Sequence, residues 1–219
     1  MTLLKRLVTL SMIFTLLVSC SMFEKPIAER DPKDLPDVMA FQDEFTRGFM
    51  TSAEEVEDGY YLFESKTGGY TMWYPEDARM DDMYYQNNKQ HFEAIQFGGS
   101  HDRSTDAQYY VRAIYNNLSD VNEHQTYLDL LSVTSGYKGD YERSLHGDKT
   151  LYFAVNKYVT KSKNTTYYSF LALLVQDKSN QALQYDYTII CKNSIECSFD
   201  LNEVEQQIKS LIKSVEFID

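Results

Sequence analysis

The chain has 219 residues, 43% of them hydrophobic and 25% charged, with a mean hydropathy of −0.46. That length suits one domain with a real core, and the composition excludes both a disordered chain and a polytopic membrane protein. The formal net charge of −12 is the wrong sign for displacing counterions from phosphate, so no nucleic-acid partner is expected. Three cysteines leave an odd one to explain if the protein is exported.

Residues 1–19 fall into zones. Lys5 and Arg6 precede an uncharged apolar stretch, 7–18, which ends in Leu17-Val18-Ser19-Cys20. The apolar run is shorter than the ~20 residues that a permanent spanning helix needs, and it fits the core of a secretory signal. An ordinary signal peptide or a short anchor helix are the plain alternatives. The segment resembles the bacterial lipoprotein signal, with Leu17, Ser19 and Cys20 in the lipobox positions. That resemblance implies cleavage before Cys20, diacylglycerol on its sulfur, and a membrane partner held through that lipid at the extracytoplasmic face of the cell membrane. Two acyl chains make anchoring stable where one does not. An acidic body is repelled by anionic lipid, so the lipid must supply the hold.

Residues 20–36 carry Pro26, Pro32 and Pro36 among alternating charges and read as a flexible tether. A single globular domain is expected over 37–219. Val38, Phe41, Phe45 and Phe49 have helical spacing, and Ser52 with Glu55 looks like a capping box for a short helix stopped by Gly59. Two strand-like runs follow, 60–65 and 70–74. They are joined by Lys66-Thr67-Gly68-Gly69, and Pro75 closes the second. Residues 77–89 read as irregular, and 91–97 as a strand ended by Gly98-Gly99. Ala107, Tyr109, Val111, Ala113 and Tyr115 alternate as one strand face. Asp120 and Glu123 open a helix with Val121, His124, Leu128 and Leu131 on one side, and Gly136 lies near its end.

Strands are then expected at 150–159, 165–176 and 182–191. The middle one is apolar on both faces, which predicts a central strand covered on both sides. Asp200 caps the last helix, whose Leu201, Val204, Ile208, Leu211 and Val215 repeat at helical intervals, and residues 215–219 suggest a final short strand.

The fold class expected is α+β, with helices or loops on each side of the sheet. Phe63, Ser65, Gly69, Tyr70, Met72, Tyr74 and Pro75 in the hairpin, with Ile208, Ile212, Ser214, Val215 and Phe217 at the end, resemble the PsbP/Mog1-like fold. That resemblance implies an antiparallel sheet with helices on both faces, an α/β/α sandwich, over about 60–219. The whole chain also resembles the small lipoproteins of Bacillus-type bacteria, which speaks to location and not to activity.

Cys191 and Cys197 enclose five residues between a strand and the last helix. A disulfide there would close a small loop, worth about 2 kcal/mol in the chain-entropy treatment. Free thiols, a metal site and a redox pair are the alternatives. Two thiols without a neighbouring histidine make half a zinc site, and a redox pair favours Cys-x-x-Cys.

Ser100, His101 and Asp102 are sequence neighbours, whereas a triad converges from distant segments; a polar turn is the plainer reading. His91, His124 and His146 lack ligand spacing. Glu76, Asp77, Asp81 and Asp82 form an acidic run without the EF-hand pattern, so a solvated loop is preferred to calcium. No phosphate loop or dinucleotide fingerprint occurs, no catalytic residue is assigned and no cofactor is expected.

Eighteen tyrosines stand against one tryptophan, several as adjacent pairs. On a strand, only one of each pair can join a given face. Packing in a half-wet sheet is the plain reading; an exposed aromatic surface for saccharide or peptide is the sharper one, with Trp73, Tyr70 and Tyr74 as candidates. The function expected is therefore a non-catalytic lipid-anchored protein acting through an envelope protein partner or envelope assembly, with saccharide or peptide binding as the alternative.

Overall fold

The computed structural model describes residues 25–100, 107–117, 124–160, 165–192 and 199–218. Two antiparallel sheets dominate. β1 (Met50–Glu57), β2 (Tyr60–Glu64), β3 (Tyr70–Pro75) and the terminal β12 (Glu216–Phe217) form a four-stranded sheet in that order. The larger sheet runs β4 (Arg79–Met80), β6 (Phe92–Ser100), β7 (Gln108–Asn117), β11 (Gln181–Cys191), β10 (Thr165–Gln176), β9 (Lys149–Thr160) and β8 (Glu142–His146). β5 (Gln86–Asn88) pairs further along β6. Among the described residues the helices are few: α1 (Met39–Gln42), α2 (Glu44–Arg47), α3 (His124–Ser135) and α4 (Leu201–Lys213).

The two sheets meet through aromatic side chains. Tyr74 packs on Phe97 at 4.8 Å between ring centroids, and Tyr70 on Tyr115 at 5.2 Å. Alternation along β10 divides the interior. Phe170, Ala172 and Leu174 join the large core with the four-stranded sheet and with Val204, Ile208, Leu211 and Ile212 of α4. Leu173 and Val175 join a smaller cluster with Ala182 and with Leu128 and Leu131 of α3. The strand apolar on both sides is thus central and buried. The fold is β-rich, because a second sheet supplies much of the cover that helices were expected to give.

Several elements differ from the sequence reading. The helix expected over 35–49 is two single turns broken at Asp43, whose extended backbone lets its carboxylate accept the Thr46 amide and cap α2. The helix expected from Ser52 is strand β1. Asp58-Gly59 forms the tight turn that pairs Glu57 with Tyr60, with Gly59 at φ +75°. Asp-Gly with positive φ is a strong hairpin signal, and it outweighs a nominal capping box. Gly98 and Gly99 do not end β6 but lie within it. β8 had no counterpart in the sequence reading; it pairs with β9 across a turn containing Gly147 at φ +61°. The segment read as a flexible tether is packed from Ile27 onward. Ile27 and Leu35 are buried in the core, Pro32 opens a short 3-10 turn, and Gln42 Nε2 donates to the Pro32 and Pro36 carbonyls. Proline's fixed φ favours such turns as well as linkers.

Candidate functional site

The three aromatic candidates do not converge. Tyr70 and Tyr74 are fully buried and face the core, so neither belongs to an exposed patch. Trp73 alternates with them and is half-buried on the other face, 5.9 Å from the Tyr60 ring; its amide donates to Ser214 Oγ at 2.9 Å. The adjacent tyrosine pairs divide as strand geometry requires. Tyr61, Tyr109 and Tyr168 are buried, while Tyr60, Tyr110 and Tyr167 lie at the half-exposed positions.

The acidic run is dispersed. Asp77 accepts the Tyr109 hydroxyl at 2.9 Å and the Ser100 amide at 3.0 Å, tying β6 and β7 to the loop after β3. Asp81 caps a 3-10 turn, Asp82–Tyr84, by accepting the Met83 amide. Among the described residues no group of three His, Cys, Asp or Glu side chains has metal-holding geometry. Ser100 ends β6, while His101 and Asp102 lie outside the described residues. His91 and His146 stand apart from each other, and half-buried His124 lies 6.0 Å from the Tyr152 ring. Cys191 is buried at the end of β11; Cys20 and Cys197 lie outside the described residues.

Among the described residues the surface is indented on both sides of β4, a feature that the sequence reading missed. A groove of about 440 Å³ opens on one side, between the 81–84 turn and the outer face of β6 and β7 at Gln96, Gly98 and Tyr110. A second, of about 520 Å³, opens on the other side between α2, Lys66 and Tyr85. Both lie within the size range of ordinary ligand clefts. Arg79, Met80 and Asp82 border both.

The ridge between the grooves is firmly held. The Met80 amide donates to Thr46 Oγ1 at 2.9 Å, and that hydroxyl donates to Asp43 Oδ1 at 2.7 Å. Arg79 Nε reaches Asp43 Oδ2 at 3.0 Å. Burial acts to raise the Asp43 carboxyl, but the Thr46 hydroxyl and amide and the Arg79 guanidinium outweigh it and hold the carboxyl below its usual range.

Behind the second groove, fully buried Glu93 accepts the Lys66 amide at 2.9 Å and the Tyr85 hydroxyl at 3.2 Å on one oxygen. Its other oxygen and the Tyr70 hydroxyl have no hydrogen-bond partner. Burial and then the Glu93 charge push the Tyr85 phenol up to about 12.

The outer face of the large sheet continues past the first groove. Tyr110 stands opposite Thr188, and Thr188 opposite Ser169; in the next row Gln96, Arg112, Asp186 and Leu171 are in register. Thr188 Oγ1 and Ser169 Oγ are 2.7 Å apart, and the Thr188 hydroxyl lies 2.9 Å from Asp186 Oδ1. Burial raises the Asp186 carboxyl, against the Thr188 hydrogen bond and the Arg112 charge. α3 is tied to this face where Gln184 Nε2 donates to the Tyr127 carbonyl and Asn156 Nδ2 to the Ser135 carbonyl.

Comparison with known proteins assigns the lineage. The family described as "Putative lipoprotein YvcA" matches residues 36–216. The chain belongs to this family. A Bacillus subtilis (strain 168) protein, also named "Putative lipoprotein YvcA", is 35% identical over 196 residues, covering 87% of this chain and 81% of its own. Two solved structures are more distant. One from Bacteroides thetaiotaomicron has 12% identity and a TM-score of 0.39, covering 72% of this chain and 48% of its own. The other is LpqN of Mycobacterium tuberculosis, described as involved in cell envelope biogenesis, with 8% identity and a TM-score of 0.37. It covers 73% of this chain and 91% of its own. The family membership bears out the expected Bacillus-type lipoprotein. No described helix is long and apolar enough to cross a membrane.

Proposed function

We propose that the chain is anchored by diacylglycerol on Cys20 at the extracytoplasmic face of the cell membrane, and that its body works by binding rather than by catalysis. The observation that carries the anchor is the ordered series of basic residues, apolar stretch and Leu17-Val18-Ser19-Cys20 ahead of a body from a lipoprotein family. The two grooves flanking β4, held by the Thr46–Asp43–Arg79 network, support a binding role in contact with an envelope protein or envelope material. The half-cystine state of Cys191 supports its pairing with Cys197. α3 and α4 close separate apolar clusters along β10, which supports the PsbP/Mog1-like sandwich with a helix on each face.

The anchor is tested by growing cells with labelled palmitate. Wild-type protein is expected to carry label in the membrane fraction, and Cys20→Ser to carry none and to retain its signal segment. Label on the Cys20→Ser protein would overturn the assignment. Crosslinking from intact membranes tests the contact role: a reproducible envelope partner is expected, and its consistent absence would count against it.

A further inference from the structure

We infer that the groove between the 81–84 turn and the outer face of β6 and β7 is a subsite for a neutral saccharide, laid across the sheet from Asp82 toward Arg112. This deepens the binding role proposed above and rests on it. The groove has a rigid floor, because β6 and β7 pair continuously from Phe92 opposite Asn116 to Ser100 opposite Gln108. On that floor Gly98 presents no side chain, and the half-exposed Tyr110 stands directly opposite it. Two residues along, on the same face, Gln96 stands opposite the exposed Arg112. Exposed Asp82 and 87%-exposed Met83 form the rim.

The class of ligand follows from the donors and acceptors. A sugar hydroxyl both donates and accepts. Gln96 offers a carbonyl and an amine, Asp82 an acceptor, and Arg112 a fixed fork of donors. The Tyr110 ring supplies an apolar face with a polar edge, which suits the C–H face of a pyranose. Charge argues for neutrality. Arg79 is already paired with Asp43, Arg112 faces Asp186 in register, and the whole chain carries net charge −12, so no positive field awaits a polyanion. The backbone argues against a peptide added as a strand. At the β4 edge the Met80 amide is held by Thr46 Oγ1, and the Asp81 amide donates to the Gln96 carbonyl at 2.8 Å.

The test uses the full lipidated chain in a detergent without a sugar headgroup. Cellotriose, maltotriose and chitotriose are each titrated by calorimetry. At least one is expected to bind. Asp82→Ala and Gln96→Ala should each weaken it by about tenfold, the scale of one lost hydrogen bond. Tyr110→Ala, which removes the stacking ring, should weaken it likewise, and Trp73→Ala, on the other sheet, should leave it unchanged. Asp82 lies on an exposed turn, so its replacement reports on the site even if a Tyr110 variant unfolds. No heat from any of the three sugars would overturn the proposal. So would binding indifferent to both Asp82→Ala and Gln96→Ala, or binding lost in Trp73→Ala. Capture in this groove of a neutral unstructured decapeptide, with none of the sugars competing, would overturn it in favour of a peptide site. Palmitate labelling at Cys20 is independent, so a failed sugar titration and a failed anchor are told apart.

Discussion

At Gly98 an added Cβ would lie 2.5 Å from the Tyr109 carbonyl oxygen, and at Gly99 the same distance from Asp77 Oδ2. The first neighbour is backbone inside a continuous ladder and cannot retreat; the second is a side chain already fixed by Tyr109 and Ser100. Gly98→Ala is expected to lose about 1–3 kcal/mol, the range for overpacking, read from the urea midpoint. Gly99→Ala should lose less, since a carboxylate can move farther than a strand. Asp186 gives a pH signature of opposite sense to an ordinary salt bridge. Its folded pKa is raised above 3.8 by burial, so the native state binds that proton more tightly than the unfolded chain. Its contribution is therefore neutral well below 3.8 and turns against folding as pH rises through the raised value. Asp186→Asn should be more stable than wild type near neutral pH, with the gap closing as pH falls through that window. Paired urea titrations across pH measure this, and a gap that widens in acid would contradict it.

At the scale of elements, the network from Met80 through Thr46 to Asp43 and Arg79 joins α2 to the edge of the large sheet. Thr46→Val keeps the shape but leaves the buried Met80 amide without its acceptor. A loss of about 1–3 kcal/mol is expected, with faster hydrogen exchange at Met80. The coupling was not legible in the sequence, because it links residues 34 positions apart through a hydroxyl that local spacing does not mark. What was legible had a strong period or a specific turn. The alternation at Ala107, Tyr109, Val111, Ala113 and Tyr115 gave a buried strand face, and Asp200 does cap α4 by accepting the Asn202 and Glu203 amides. The hairpin from Tyr60 to Pro75 pairs as expected, Leu62 opposite Trp73. The misreading of β1 was local: Ser52 and Glu55 fit a capping box, while Asp58-Gly59 carried the decisive information. Gly59→Ala would force a side chain into positive φ and is expected to cost about 1 kcal/mol or more in the same denaturation assay. The candidate groove was illegible because Gln96, Gly98 and Tyr110 are ordinary strand residues. Only the pairing of β6 with β7 sets them side by side.

For the whole molecule the governing quantity is charge. The chain carries 33 acidic against 21 basic residues, and two of the basic ones, Lys5 and Arg6, precede the proposed cleavage before Cys20. Three basic side chains of the described body are engaged as well. Lys149 is buried against the Val215 carbonyl and Glu216, Lys209 lies between Glu142 and Glu205, and Arg79 is on Asp43. A body so arranged gains nothing from an anionic bilayer. Its attachment should depend on acyl chains alone, and its repulsion should grow as salt is removed. Lipidated protein mixed with vesicles of rising anionic content is expected to sediment equally well at about 1 M salt, where the Debye length is near 3 Å. At about 0.01 M, where it is near 30 Å, binding should weaken as anionic lipid increases. Unlipidated Cys20→Ser protein freed of its signal segment should stay in the supernatant throughout. Stronger binding to anionic vesicles at low salt would reveal a basic surface in the intact chain, and the acidic body could then no longer be treated as held by lipid alone.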